Sequence, residues 1–228
     1  MLTVGRWLKT SKSWFNSSKK ISENSVASTL SKRRSCRSFL DRKPPEGLIL
    51  DLIDKARRTP TAGNSQGVEF LLLEEKSSVN DFWRVSFLGR DRSSFAFPGL
   101  FNAPALVIPF GVPSMYIDRY KEDDKGHTNL GENVKEWTVP YWLTDAAFAT
   151  MALQLLAIEN QLESCFIGLF EREERIKEYF SIPETYQALG VLVMGYPNTE
   201  EGSPGRSQKR KRRPLSKVVH IGSWRSPS

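Results

Sequence analysis

The 228-residue chain has only two cysteines and two histidines, and this scarcity excludes several kinds of site. Cys36 and Cys165 cannot form a disulfide framework, so a reducing cytoplasm is the simpler expectation. His127 and His220 stand apart from any Cys, Asp or Glu pattern with metal-ligand spacing. We therefore expect no metal site, and a zinc enzyme loses most of its support.

Long apolar runs and several familiar catalytic motifs are also missing. The longest apolar stretch, residues 146–158, contains Gln154 and is shorter than the roughly 18 residues that mark a transmembrane helix. Residues 1–24 contain no continuous apolar region of the kind found in signal peptides. The chain has no Gly-x-Ser-x-Gly, Gly-x-Gly-x-x-Gly or Walker motif. A membrane span, a hydrolase triad and a Rossmann dehydrogenase are therefore not expected.

The formal net charge of +7 is unevenly distributed along the chain. Residues 1–24 have five Lys or Arg and one Glu, a net of +4, and residues 205–228 have eight and no acid, a net of +8. The residues between them have 20 basic and 25 acidic side chains, a net of −5. Because the basic character belongs to the two ends, we expect no nucleic-acid partner for the folded body.

Residues 1–24 are predicted to form a separate tail. On a helix, Val4, Trp7, Leu8 and Phe15 would share one face, opposite lysines. Such a helix would be an interfacial membrane anchor, in weak contact with a membrane surface, or a docking helix. The alternative is a partly disordered tail or a helix packed on the folded body. The tail's shortage of acids is also a feature of transit peptides.

Hydrophobic periodicity divides the rest of the chain into helices and strands. Ile49, Leu52, Ile53 and Ala56 recur at helical spacing and predict a helix over residues 46–58. Residues 141–162 predict the longest helix, which is apolar around most of its circumference, so we expect one side against the sheet and the other against a partner subunit. The other predicted elements are helices at 25–32 and 171–180, a largely buried strand at 68–73, strands at 105–112 and 188–197, a short strand or arm at 215–220, a loop at 61–67, a helix with irregular connection at 77–104, an irregular region at 113–140 and a flexible linker at 198–208.

Two short segments have the residue types of a ligand site. The arginine segment, residues 33–37, reads Arg-Arg-Ser-Cys-Arg, and its guanidinium groups and Ser35 hydroxyl suit a phosphate. The small-residue loop, residues 60–66, reads Pro-Thr-Ala-Gly-Asn-Ser-Gln, and the Asn64 amide can both donate to and accept from a flat heterocycle. Each segment alone is compatible with a solvated charge patch or an ordinary loop. Together they indicate a site for a phosphorylated aromatic cofactor.

Three further segments occur in a fixed order after these two. They are Asp145-Ala146-Ala147 in the long helix, Ser-Cys-Phe-Ile-Gly-Leu-Phe at 164–170, and Gly195-Tyr196-Pro197 followed by the basic run that ends at Pro214. With Arg-Arg-Ser-x-Arg-x-Phe at 33–39 and the small-residue loop, the chain resembles the nitroreductase family of FMN-dependent oxidoreductases over about residues 28–222.

The resemblance implies an α+β, nitroreductase-like fold: a central mixed or antiparallel sheet flanked by helices, with a long central dimerisation helix. The resemblance also implies that the protein is a homodimer. The expected domain organisation is a tail at 1–24, an FMN-binding domain at 25–222 with a basic C-terminal arm at 209–222, and a tail at 223–228.

The resemblance also assigns cofactor contacts residue by residue. It implies that one FMN contacts Arg33, Arg34, Ser35 and Arg37 through its phosphate, ribityl chain and ring. Arg210 and Arg212 would close on the phosphate from the C-terminal arm. The backbone N–H groups of Gly168 and Leu169 would approach ring atoms N5 and O4. The residues that would contact the FMN of the partner subunit are Pro60, Thr61, Ala62 and Asn64. The basic run 209–213 has an alternative interpretation as a nucleic-acid or localisation patch.

The implied activity is reduction of an acceptor, such as a nitro compound or a quinone, with NADH or NADPH by a ping-pong mechanism in which FMN carries the chemistry. Alternatives are a flavin-dependent dehydrogenase or dehalogenase acting on a biosynthetic intermediate, and a non-catalytic flavin-binding or interaction protein with basic ends. No side chain is assigned as catalytic. Cys165 is expected to be a structural thiol because no base stands beside it.

The sequence departs from the family pattern near the expected site. Thr61 replaces a common Ser, and Gly67-Val68 replaces the usual Pro-Trp. The region 116–141 contains aromatic residues that are candidates for a lid: Tyr120, Trp137, Tyr141 and, directly after it, Trp142. These differences fall where an acceptor is selected.

Overall fold

The computed structural model of this chain describes residues 25–88, 92–200 and 210–224. The tail predicted at 1–24, most of the linker predicted at 198–208, and residues 225–228 lie outside this part of the chain. The helices in the described residues are α1 (Val26–Lys32), α2 (Leu48–Ala56), α3 (Lys76–Ser86), α4 (Pro113–Tyr120), α5 (Tyr141–Glu159) and α6 (Glu173–Tyr179). The strands are β1 (Val68–Leu73), β2 (Ala105–Gly111), β3 (Glu163–Ile167), β4 (Gln187–Ala188) and β5 (Val191–Gly195).

The strands form one antiparallel sheet in the order β1-β2-β5-β3, with β4 paired to β2. All seven residues of β2 are buried, because helices cover both faces of the sheet at its centre. Alternate side chains of a strand point to opposite faces. Val107 accordingly packs in one hydrophobic cluster, and Leu106 and Ile108 pack in the other.

Two hydrophobic cores form, one on each face of the sheet. The first includes residues of α2 and α5, among them Ile49, Leu52 and Leu153. The second includes residues of α3 and α6, among them Phe82 and Ile176. The four residues that predicted α2 by their spacing are all buried, which confirms the amphipathic pattern.

Helix α5 buries one side only within this chain. Its buried residues, including Ala146, Ala149, Leu153 and Ala157, recur every three or four positions. On the opposite side Phe148 remains 49% exposed. The side expected against the sheet is therefore buried within the chain, and burial of the second side against a partner subunit stays a prediction.

Helix α5 is also long and apolar enough, by length and composition, to cross a membrane. The expectation of no transmembrane helix was based on the apolar run at 146–158, which is shorter than the whole helix, Tyr141–Glu159, that meets this criterion. Its packing against α2 and the sheet gives it the place of a core helix in this fold.

The region 113–140 is more ordered than its sequence indicates. It contains α4 and two short 3-10 turns, Gly126–Thr128 and Val134–Glu136. Tyr116, Trp137 and Trp142 form the buried centre of an aromatic cluster, with Tyr120 packed against it. The prediction of an irregular region was wrong because α4 is only eight residues long, which is too short to show a clear helical repeat in the sequence.

Three strand predictions also need correction. Strand β1 has the predicted bounds, but as an edge strand it is only partly buried. The strand predicted at 188–197 is divided into β4 and β5 by Gly190, which has φ of +153° and lies so close to the Phe166 ring that a Cβ would be 2.5 Å from it. Residues 215–217 form a 3-10 turn, Leu215–Lys217, so of the two alternatives predicted for 215–220, a short strand or an arm, the strand does not form.

Candidate functional site

The arginine segment is held beside the first residues of β3. Ser25 caps α1 by accepting a hydrogen bond from the Ser28 N–H at 3.2 Å, and the helix ends directly before the segment. Ser35 then pairs with Ser164 as a parallel bridge, and the Cys36 N–H donates to the Ser164 carbonyl at 3.0 Å. The backbone of the segment is therefore fixed to the sheet, and its arginines start from a rigid base.

The three arginines of the segment differ in their partners. Arg34 forms an ion pair with Glu163 at 2.8 Å, and this hydrogen-bonded carboxylate raises the pKa of the Arg34 guanidinium. Arg37 lies over the Phe97 ring at 5.0 Å and has one long hydrogen bond, 3.4 Å, to the Ser35 carbonyl. Within the described residues the half-buried Arg33 has no acidic partner. Two positive charges beside β3 thus remain without a counter-ion, and they fit a phosphate.

The far end of β3 presents backbone N–H groups. Gly168 and Leu169 follow the strand directly, and neither amide donates a hydrogen bond to another described residue. Ser164 and Gly168 are four positions apart, or about 13 Å along an extended strand. One strand therefore has cations at its first residues and free donors after its last, which suits an elongated ligand with a phosphate at one end and a polar ring at the other.

Phe170 gives this turn an unusual backbone. Its φ is +49°, a conformation that is costly for a bulky residue, and its side chain is 79% exposed. The ring lies against Gly168, where an added Cβ would be 2.8 Å from it. The turn thus keeps a glycine close to a strained and solvent-facing aromatic residue.

The small-residue loop is ordered by its own side chains. The Gln66 N–H donates to Thr61 Oγ1 at 2.9 Å, and the Ser65 hydroxyl donates to the Ala62 carbonyl at 2.6 Å. Gly63, Asn64 and Gln66 all have positive φ. The Asn64 side chain is exposed, so its amide is available to a ligand.

A buried carboxylate holds this loop from below. Asp145 Oδ2 accepts hydrogen bonds from the Ala62 N–H at 2.8 Å and from the Tyr116 hydroxyl at 2.7 Å. Burial, together with this hydrogen bond, raises the pKa of Tyr116. Arg119 Nε donates to the Gly63 carbonyl at 2.8 Å and its other nitrogens pair with Asp124. Sequence reasoning missed Tyr116 and Arg119 as residues that support the site, although the Asp145 motif was noticed.

The arginine segment and the small-residue loop lie at opposite edges of the sheet. The segment pairs with β3, whereas the loop leads into β1, and three strand-to-strand steps separate these edges. At about 4.8 Å per step this is about 14 Å across the sheet alone. One chain therefore does not bring the two predicted halves of the site together.

The remaining predicted residues are distributed as follows. Pro60 and Thr61 begin the small-residue loop with Ala62 and Asn64. Arg210 and Arg212 are exposed on the C-terminal arm, and neither has a hydrogen bond or ion pair to the arginine segment in the described residues. Arg213 donates to the Lys217 carbonyl at 2.6 Å and so shapes the arm itself.

The two thiols have the features of structural residues. Burial raises the pKa of Cys36 to about 11 and also raises the pKa of Cys165. Both are free cysteines, and neither belongs to a group of three potential metal ligands in the described residues. Their thiolate forms are therefore scarce near neutral pH.

Sequence comparison assigns this architecture to a family. The profile of the nitroreductase family matches residues 30–196, a range that includes the arginine segment, the small-residue loop and the turn after β3. The chain belongs to the nitroreductase family. It is therefore an oxidoreductase with a nitroreductase-like fold, as the order of the motifs predicts.

Individual relatives agree with the family assignment. A protein of Archaeoglobus fulgidus, provisionally described as an NADH dehydrogenase/NAD(P)H nitroreductase, is 26% identical over 172 residues, or 74% of this chain and 83% of the relative. A nitroreductase family protein of Clostridium difficile 630 is 25% identical with a TM-score of 0.61, covering 86% of this chain and 97% of that one. A nitroreductase of Exiguobacterium sibiricum, solved with FMN, is 17% identical with a TM-score of 0.67, covering 88% and 97%.

Proposed function

We propose that this nitroreductase-family chain is an FMN-dependent NAD(P)H:acceptor oxidoreductase that binds FMN at the interface of a homodimer. The observation that carries the proposal is the arrangement at β3: unneutralised arginines beside its first residues and free backbone N–H groups after its last. The FMN complex of a structural neighbour and the NAD(P)H in the description of a relative support the choice of cofactor and reductant.

The residues at β3 fit FMN by their donor chemistry. Arg33 and Arg37 would bind the phosphate through charge-assisted hydrogen bonds, with Ser35 adding a hydroxyl and Arg34 sharing its guanidinium with Glu163. Gly168 and Leu169 would present their N–H groups to the polar edge of the ring. Arg210 and Arg212 would approach the phosphate from the C-terminal arm.

Two features of the single chain support the proposed homodimer. The outer side of α5 leaves an apolar surface around Phe148 exposed, which is unusual for a helix in a core position. The small-residue loop also lies at the opposite edge of its own sheet from the arginine segment. Pro60, Thr61, Ala62 and Asn64 would therefore contact the FMN held mainly by the partner subunit.

When bound, FMN supplies hydride chemistry, so that NAD(P)H and the acceptor would use the same face in turn and give ping-pong kinetics. The protein residues bind and orient the cofactor, and the N–H donors and arginines would stabilise negative charge on its ring. We propose the cytoplasm as its compartment, because both cysteines are free thiols. The proposal includes nitro compounds and quinones as acceptor classes.

The first experiment is to purify the full chain, incubate it with FMN, remove unbound flavin and record the absorbance spectrum. We expect about one FMN per subunit, bleaching by NADH or NADPH without oxygen, and recovery of the colour with a quinone or a nitroaromatic compound. Parallel lines in double-reciprocal plots would support the ping-pong scheme. A protein that retains no flavin would contradict the proposal.

A further inference from the structure

The Asp145 carboxylate is buried in a way that needs an explanation. It is 2% exposed, and its Oδ2 accepts hydrogen bonds from Ala62 and Tyr116 while no cation pairs with it in the described residues. A buried charge is costly unless its hydrogen bonds compensate for the lost water. Of the two residues that donate to Asp145, Ala62 belongs to the small-residue loop, and Tyr116 belongs to the aromatic cluster against which Ala62 packs. Its position therefore links the core of α5 to that loop.

The small-residue loop has a backbone that needs restraint. Asn64 has φ of +57° and Gln66 has φ of +53°, and such conformations persist when their surroundings hold them. Ala62 is held by Asp145 through its N–H, and Gly63 is held by Arg119 through its carbonyl. The Tyr120 ring lies under Gly63, where a Cβ would be 2.7 Å from it. Asn64, whose amide faces solvent, directly follows these two anchored residues.

We infer that Asp145, assisted by Tyr116 and Arg119, is a positioning residue that holds the small-residue loop in its FMN-binding conformation. The inference rests on the FMN role proposed above. It assigns a supporting function to the aromatic cluster, which includes three of the candidates for a lid, Tyr120, Trp137 and Trp142. Tyr116 and Trp137 are buried in the cluster against which Ala62 of the loop packs, so they lie in the interior and do not form a lid over the ligand.

The test compares four variants of the full chain. Asp145→Val removes both accepted hydrogen bonds, and Asp145→Asn keeps a carbonyl oxygen that can accept them. Tyr116→Phe removes one donor and leaves the ring in place. Thr150→Val is the matched control, because Thr150 is buried on the same helix and its hydroxyl donates to the Ala146 carbonyl, with no bond to the loop.

Two measurements are needed, and one of them requires no flavin. Hydrogen exchange of the apo protein should show faster exchange over residues 61–66 in Asp145→Val than in the wild type and in Thr150→Val. Fluorescence titration should show that the FMN Kd rises at least about tenfold in Asp145→Val and about threefold to tenfold in Tyr116→Phe. Asp145→Asn should recover most of the affinity, and Thr150→Val should bind FMN like the wild type.

Several results would overturn the inference. Wild-type FMN affinity in Asp145→Val, or an equal loss of affinity in Thr150→Val, would show that Asp145 has no specific effect on the loop. If Asp145→Val does not fold, an unchanged FMN Kd in Tyr116→Phe would refute it equally. Failure of the wild type to bind FMN would instead remove the proposed function, and the inference with it. The two failures are therefore distinguishable.

Discussion

At the scale of single residues, the three arginines of the arginine segment differ in how far their charge is neutralised. Glu163 pairs with Arg34 at 2.8 Å, whereas Arg37 has an aromatic ring and a long hydrogen bond in place of an acid. An arginine without a counter-ion gains most from a bound phosphate, because no existing ion pair must be broken or shared. We therefore expect Arg37 to contribute more to FMN affinity than Arg34.

Replacement of Arg37 by alanine should raise the FMN Kd by about ten- to a hundredfold, since a hydrogen bond to a charged group contributes about 1.5–3 kcal/mol. Equilibrium titration of flavin fluorescence measures the change. Arg84→Ala is the control, because Arg84 is an exposed arginine that pairs with Asp81 on α3. Equal FMN affinity in Arg37→Ala and Arg84→Ala would remove Arg37 from the phosphate site.

At the scale of elements, strand β3 and helix α5 organise the molecule. Strand β3 connects the arginine segment to the turn at Gly168, so one rigid element would determine both ends of a bound cofactor. Helix α5 provides Asp145 under the small-residue loop and exposes an apolar surface on its outer side. The helix that would support the loop is thus also the helix that would meet the partner subunit.

Phe148→Glu should convert the proposed dimer to a monomer, because it places a charge on the half-exposed apolar side of α5. Size-exclusion chromatography with light scattering measures the mass, and flavin titration should show weaker FMN binding in the monomer. Phe148→Leu is the control, since it keeps an apolar side chain at this position. A wild-type monomer that binds FMN at full stoichiometry would contradict the shared site.

At the scale of the whole molecule, the sheet separates two cores and leaves the predicted halves of the site at opposite edges. The same packing buries groups that resist ionisation. Cys36 lies against the core on one face of the sheet, and burial raises its pKa from an ordinary value of 9.0 to about 11. The folded state therefore binds this proton more tightly than the unfolded state does.

The free energy of unfolding should consequently decrease between about pH 9 and pH 11. Below pH 9 the thiol is protonated in both states, and above that pH the unfolded chain loses the proton first and is favoured. Chemical denaturation at several pH values measures the slope, and Cys36→Ser should reduce it because a serine hydroxyl does not titrate there. Parallel stability curves for wild type and Cys36→Ser would refute the shifted pKa.

Much of the fold was predictable from local patterns. The spacing of Ile49, Leu52, Ile53 and Ala56 predicts α2, and the apolar run at 105–112 predicts β2. Both predictions need only the order of apolar residues over a short stretch of sequence. Helix α4 was missed because it is only eight residues long, and the aromatic residues were interpreted as candidates for a lid because only packing places Tyr116, Trp137 and Trp142 together in the interior. The division of the strand at Gly190 was missed for a similar reason, because the close contact is with Phe166 of another strand.

The sequence by itself determined the class of protein and the residue types of the site. The order of the arginine segment, the small-residue loop and the later motifs was enough to indicate the nitroreductase family, which the family profile confirms. Only the tertiary structure decided which of these residues are neighbours. Strand order places residues 33–37 and 60–66 at opposite sheet edges, and burial joins Asp145 to Ala62 over 83 positions of sequence. Such contacts depend on how the sheet and helices pack, and a local sequence pattern does not show which distant residues become neighbours.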